Sequence, residues 1–154
     1  MPEPERGSGF FSGLELSRRL ERAEAHANAM FVEARARTAP SSGACWIEVA
    51  GAYAMYDGPA SPVTQTFGLG LFETPTPRVF EELERFFLQR EAPVLHEVSP
   101  LAELALLSTL TERGYQPVEL TNVMYRPLGA RGEPGLSGND RIRVRAIEKH
   151  EGEV

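Results

Sequence analysis

Cysteine is nearly missing from this chain: Cys45 is the only one among 154 residues. A single thiol excludes an intrachain disulfide and a zinc site built from cysteines. Its neighbours Ala44 and Trp46 are apolar, so Cys45 reads as a buried structural thiol and not as a nucleophile. Lysine is scarcer than composition would suggest. Of 16 basic residues only Lys149 is a lysine, which reads as a coding bias toward arginine. No apolar run approaches the ~20 residues that a membrane span needs. The N-terminus, Met1-Pro2-Glu3-Pro4-Glu5-Arg6, lacks the basic region and apolar core of a signal peptide. These absences predict a cytoplasmic protein without a membrane partner. The 22 acidic residues outnumber the 16 basic ones and leave a net charge of −6, so no broad basic face for nucleic acid is expected.

Familiar catalytic motifs are lacking as well. There is no G-x-S-x-G elbow and no G-x-x-x-x-G-K-[ST] phosphate loop. His26, His96 and His150 have no second His, Cys or paired carboxylate at ligand spacing, so no metal is expected. His96 and Glu97 are adjacent in an extended stretch and point to opposite faces, which rules them out as a dyad. Glu81-Glu82-Leu83-Glu84 reads as a solvated helix face, and Phe80, Phe86 and Phe87 read as core.

What is present is ordinary globular sequence: 42% hydrophobic and 25% charged, enough for one domain. Residues 1–11 are rich in Pro, Gly and Glu and are expected to fray. Ser12 and Glu15 form a capping box for a first helix of about 22 residues. Its predicted core stripe is Leu16, Leu20, Ala23, Ala27, Met30 and Ala34, ended by Pro40-Ser41-Ser42-Gly43. Two strands follow, at 44–49 and 52–57, joined by the two-residue loop Ala50-Gly51. A third strand is expected at 63–71, with Val63, Phe67, Leu69 and Leu71 on one face and Gly68 and Gly70 on the other. Paired glycines there permit close approach of a backbone, a helix or a ligand.

Thr74-Pro75-Thr76-Pro77 opens a second helix with Val79, Phe80, Leu83, Phe86 and Phe87 on its apolar face and a Glu81–Arg85 surface pair. A strand at 93–98 leads to Ser99, expected to cap a third helix whose core side is Leu101, Leu104, Leu107 and Leu110. Gly114 stops that helix, and 115–126 reads as a last strand. Residues 129–140 hold four glycines and a proline and describe a linker. After it, 141–147 alternates Arg with Ile and Val like the first strand of a further domain. The fold class predicted is mixed α/β, a mostly antiparallel sheet flanked by helices.

Several segments taken together resemble the GNAT N-acetyltransferase superfamily. They are Glu33-Ala34-Arg35-Ala36-Arg37, Tyr53-Ala54-Met55-Tyr56-Asp57-Gly58-Pro59, Gly68-Leu69-Gly70-Leu71, Ser99-Pro100-Leu101-Ala102, Arg113-Gly114-Tyr115 and Asn122-Val123-Met124-Tyr125-Arg126-Pro127-Leu128. The match runs over residues 16–128 and is similar above all to the N-terminal half of bacterial tandem-GNAT proteins. That resemblance implies a GNAT-like domain over 12–128, with a second GNAT half, or another copy of the chain, as partner. It implies acetyl-CoA as cofactor and a small-molecule amine as acceptor. The cofactor site would comprise Phe67, Gly68, Leu69, Gly70, Leu71 and Arg78.

The chain departs from the family where the chemistry lies. The family's glycine-rich turn, R/Q-x-x-G-x-G/A, grips pyrophosphate with backbone amides. Here the stretch is Phe72-Glu73-Thr74-Pro75-Thr76-Pro77, with no glycine, two prolines that lack the amide hydrogen, and an acidic residue. The family's general-acid tyrosine has no counterpart on the helix after 93–98, so no catalytic residue is assigned. Tyr115 matches a packing aromatic. Glu48 and Glu97 are the carboxylates well inside strands, and neither fits a fixed motif. Three readings follow: a non-catalytic GNAT-like half that packs, shapes a cleft or dimerises; an active acetyl-CoA-dependent N-acyltransferase; and an unrelated α/β interaction domain.

Overall fold

The computed structural model describes residues 13–124. The chain divides into two compact units, Met1–Gln116 and Pro117–Val154. The expectations for 1–11, Ser12, the linker 129–140 and the strand 141–147 lie outside the described residues.

The first unit is mixed α+β. Helix α1 (Leu14–Thr38) is followed by a short 3-10 turn, Pro40–Ser42, and strands β1 (Cys45–Val49), β2 (Ala52–Tyr56) and β3 (Thr66–Phe67). Helices α2 (Pro77–Leu88) and α3 (Leu104–Glu112) complete it. The three strands make one antiparallel sheet in the order β1-β2-β3. One buried layer joins Ala25, Ala29 and Val32 of α1 to Tyr53, Met55 and Phe67. A second joins Val49, Ala52 and Ala54 to Phe80, Leu83, Phe87, Leu106 and Leu110. Period-2 alternation along β1 and β2 thus feeds both faces of the sheet, as expected from the sequence.

The hairpin has the predicted two-residue loop. Val49 pairs with Ala52, and Ala50 and Gly51 both take positive φ, 50° and 74°. Two successive left-handed residues match the right-handed twist of the flanking strands. Gly51 suits this, whereas Ala50 holds a conformation unfavourable for a residue with a Cβ.

The third strand is far shorter than 63–71. Gly68 and Gly70 each take φ 74°, and the Leu71 amide donates to the Gly68 carbonyl at 3.2 Å, so the chain turns as soon as β3 is made. Phe67 joins the α1 layer and Leu69 the opposite one, so the even spacing does not put them on one face. The strand expected at 93–98 is reduced to one parallel bridge, Thr66 to His96. The Thr66 amide donates to Leu95 O at 2.9 Å and the Glu97 amide to Thr66 O at 2.8 Å. His96 and Glu97 do face opposite layers: His96 lies against Phe80 and Tyr115, while Glu97 is charge-coupled to Glu21 and Glu24 of α1.

Helix α1 has 25 residues where about 22 were expected, its N-cap is Gly13 with no side-chain cap in place of Ser12, and it presents a different face. Ser17, Ala25, Ala29 and Val32 are buried, and Ala23, Ala27 and Met30 are exposed. The sheet layer is filled by Tyr53, Met55 and Phe67, and small α1 residues let the helix sit close above them. Helix α2 is as expected, with Thr76 accepting from the Val79 amide and Phe80, Leu83, Phe86 and Phe87 buried. Its surface ion pair is Glu84 with Arg113, at 2.7 Å, in place of the expected Glu81 with Arg85.

Helix α3 starts later than predicted. Ser99 caps a turn, accepting from the Leu101 amide at 3.3 Å, and the helix begins beyond it with Leu106 and Leu110 as its buried residues. Leu104 is 81% exposed and Leu107 53%. A strict three-residue spacing precesses by about 60° per step, so Leu101 and Leu110 stand on opposite sides of a helix. Gly114, with φ 87°, ends α3 as expected, and the Tyr115 amide returns to Leu110 O at 2.9 Å. In the second unit, 117–124 forms no strand; Leu120 is 94% exposed, and Pro117 cannot donate to a ladder.

Replacing Ala50 by Asn should relieve the left-handed strain at the hairpin and stabilise the protein by about 0.5–1 kcal/mol. Gly51→Ala should do the reverse, because its new Cβ would lie 2.6 Å from Phe72 Cβ. Urea unfolding of the two variants beside the parent checks both signs.

Candidate functional site

The stretch from Phe67 to Arg78 was expected to hold a cofactor, and its geometry follows from three missing side chains. A Cβ on Gly68 would meet Phe72 at 3.0 Å, and one on Gly70 would meet Leu106 Cδ2 at 2.5 Å. The close approach that paired glycines permit is therefore taken up by the protein's own side chains. Phe72 folds back over Gly51 and Gly68, and Leu106 of α3 covers Gly70. Phe67 and Leu69 are buried in the two layers, and Leu71 is buried as well.

Two arginines of α1 hold this turn in place. Arg18 Nε donates to Leu71 O at 2.7 Å. The Arg22 guanidinium lies 4.0 Å from the Phe72 ring centroid and 5.0 Å from that of Tyr53, and donates to Glu48 at 2.9 Å. Cation–π attraction and an ion pair thus clamp Phe72 over the glycines.

The start of α2 is where a phosphate would sit. Pro77 has no amide hydrogen, and the Val79 amide is already bonded to Thr76, which leaves the Arg78 amide in the first turn. Arg78 itself is exposed and makes no salt bridge among the described residues. The cavity beside it holds about 40 Å³ and is lined by Gly70, Thr74, Pro75, Phe80, Glu103 and Leu106. Such a volume admits a few waters and not a pantetheine arm. Glu103, accepting from Thr74 Oγ1 at 3.3 Å, adds a negative charge where a pyrophosphate would need the opposite.

Two titratable clusters were not legible in the sequence. On the α2 side, Glu84 accepts from Arg113 and from Tyr115 Oη at 3.1 Å, and the Tyr115 ring lies 4.9 Å from that of His96. Hydrogen bonds from Arg113 hold the Glu84 carboxyl below its usual range. Burial, with the Glu84 carboxylate, pushes the Tyr115 phenol up, and burial pushes His96 down to about 4. The neutral His96 ring has neither nitrogen hydrogen-bonded among the described residues, and Thr66 Oγ1 is likewise unpartnered. On the α1 side, burial first, and then the charges of Glu97 and Glu24, raise Glu21 to about 7. The nearby Gly68 amide works against that shift. Burial and Glu24 raise Glu97 as well. Glu21 had no sequence signal beyond its place on a helix. Its burial follows from which face of α1 meets the sheet.

Cys45 is half-buried and accepts from Arg90 Nε at 3.2 Å, a structural contact. His26 is exposed on α1. Among the described residues no group of three or more His, Cys, Asp or Glu is placed to hold a metal ion, and no helix is long and apolar enough to cross a membrane. Comparison with protein-family models, with curated proteins and with solved structures finds no match for this chain.

The Glu21 cluster makes stability depend on pH with a definite sign. The folded chain keeps a proton on Glu21 that the unfolded chain releases near 4.5, so this contribution is complete below 4.5 and is lost as the pH rises through about 7. His96 acts oppositely: its contribution is complete above 6.5 and is lost as the pH falls through about 4. Glu21→Gln should therefore leave stability near pH 4.5 almost unchanged. At pH 8 it should raise stability by about 1–2 kcal/mol, allowing for partial solvent screening of the group. Urea titrations of both proteins at the two pH values read the difference directly. An equal effect at both values would contradict the assignment.

Proposed function

We propose that this chain is a GNAT-like domain that does not itself bind acetyl-CoA, and that its role is to pack against a second domain or a second copy. One observation carries the reading: the glycine-lined space at Gly68 and Gly70 is filled from both sides by Phe72 and Leu106. The proline-capped start of α2 and the carboxylate of Glu103 support it, because both disfavour a bound pyrophosphate.

A second reading is an active acetyl-CoA-dependent N-acyltransferase acting on a small amine. The Glu21 and Glu97 pair favours it, since a carboxyl titrating near neutrality suits the deprotonation of an amine. In that reading Phe72 would swing away from Gly68, and Arg78 would meet the pyrophosphate.

Calorimetric titration of the chain with acetyl-CoA separates the two. The first reading expects no saturable heat, and no rise in melting temperature at millimolar ligand. Micromolar binding that is lost in Arg78→Ala would overturn it in favour of the second.

A further inference from the structure

The residues that sequence periodicity marked as the core stripe of α1 form a surface. Leu16, Leu20, Ala23, Ala27, Met30 and Ala34 lie within about 40° of one line along the helix, at 100° per residue. The buried face, with Ser17, Ala25, Ala29 and Val32, lies roughly opposite. Met30 is 58% exposed and its neighbour Phe31 52%. At the other end of the helix, Leu16, Leu20, Ala23 and Phe72 form the apolar floor of a shallow, open groove of about 710 Å³ whose rim is charged, with Glu15 and Arg19 among the rim residues. One helix thus carries an apolar projection and an apolar groove, separated along its axis by about 18 Å.

We infer that this face of α1 docks a second copy of the chain, with the two α1 helices antiparallel about a two-fold axis near Ala23 and Ala27. The inference names the partner for the packing role proposed above and rests on that reading for its purpose, while its geometry rests on α1 and Phe72. In this arrangement Met30 of each copy enters the Leu16, Leu20 and Phe72 groove of the other, and Phe31 packs beside the other copy's Leu20 on the opposite flank of the stripe. Ala23 and Ala27 meet at the axis, where small side chains let the helices approach closely. A two-fold interface uses the same patch on both copies, so projection and groove must both lie on one surface, as they do here.

Charge supports a second copy over another occupant. Along one flank of the stripe run Glu15, Arg19, Glu33 and Arg37, all exposed. Turned antiparallel, this order sets Glu15 against the other copy's Arg37 and Arg19 against the other copy's Glu33. Each pair occurs twice in the dimer. The stripe is about 27 Å long, which gives a modest interface and a dimer of moderate affinity.

Sedimentation velocity over a wide range of concentration tests this. The expected result is a monomer–dimer equilibrium approaching twice the chain mass. The double variant Met30→Asp with Phe31→Asp, at exposed positions, should weaken the dimer by about tenfold or more. Circular dichroism melts verify that it remains folded. Glu15→Arg should weaken the dimer by about threefold or more, and adding Arg37→Glu should restore it. A monomer at every concentration overturns the inference, whether or not another segment covers the face. So does a dimer indifferent to the Met30 and Phe31 changes, or one that the paired charge reversal fails to rescue. Acetyl-CoA binding is measured separately, so either result can fail without the other.

Discussion

The packing of this unit depends on places where a Cβ is missing. Gly51, Gly68 and Gly70 stand at the loop of the hairpin and at the turn after β3, and each would collide with Phe72 or Leu106 if it carried a side chain. Because they do not, one turn of chain is pressed between α1, the sheet and α3. Phe72 is then held by Arg22, Leu71 by Arg18, and Leu106 completes the layer beneath α2.

The same closure bears on function. Beyond β3 the chain pairs with the 93–98 segment only through the Thr66–His96 bridge, and the glycine-bearing turn that follows is filled by Phe72 and Leu106. That filling makes the turn part of the packing. It also releases the start of α2 from any need for free amides, which fits a threonine cap followed by Pro77. The charged clusters at Glu84 and Glu21 then lie on either side of the sheet as fixed parts of the packing. The His96 ring is kept neutral by burial.

Much of the architecture was legible locally. The hairpin followed from alternation and a two-residue loop, α2 from its apolar face and capping threonine, the end of α1 from Pro40-Ser41-Ser42-Gly43, and the end of α3 from Gly114. Failures came where a pattern had two solutions. Even spacing over 63–71 suited a long strand, but positive φ at Gly68 and Gly70 breaks it and sends Phe67 and Leu69 to different layers. The four leucines expected to line the core side of the third helix, Leu101, Leu104, Leu107 and Leu110, are spaced by three, a period that drifts half a turn around a helix from the first to the last. The stretch that resemblance marked for a cofactor was legible as a contiguous glycine-bearing segment. Its occupation by Phe72 and Leu106 was not, because neither contact has a signature in local spacing.

The amino-acid sequence by itself determined the local elements: which stretches coil into helices, where they stop, and that one hairpin forms. Those outcomes depend on periodicity, capping groups and glycine conformations within a few residues of each other. Only the tertiary structure decided which face of α1 is buried. Both faces are sufficiently apolar, and the choice falls to the small residues that fit over Tyr53, Met55 and Phe67. It also decided that the glycine slot is filled and that Glu21 is buried beside Glu97, since these outcomes rest on side chains brought together from distant parts of the chain.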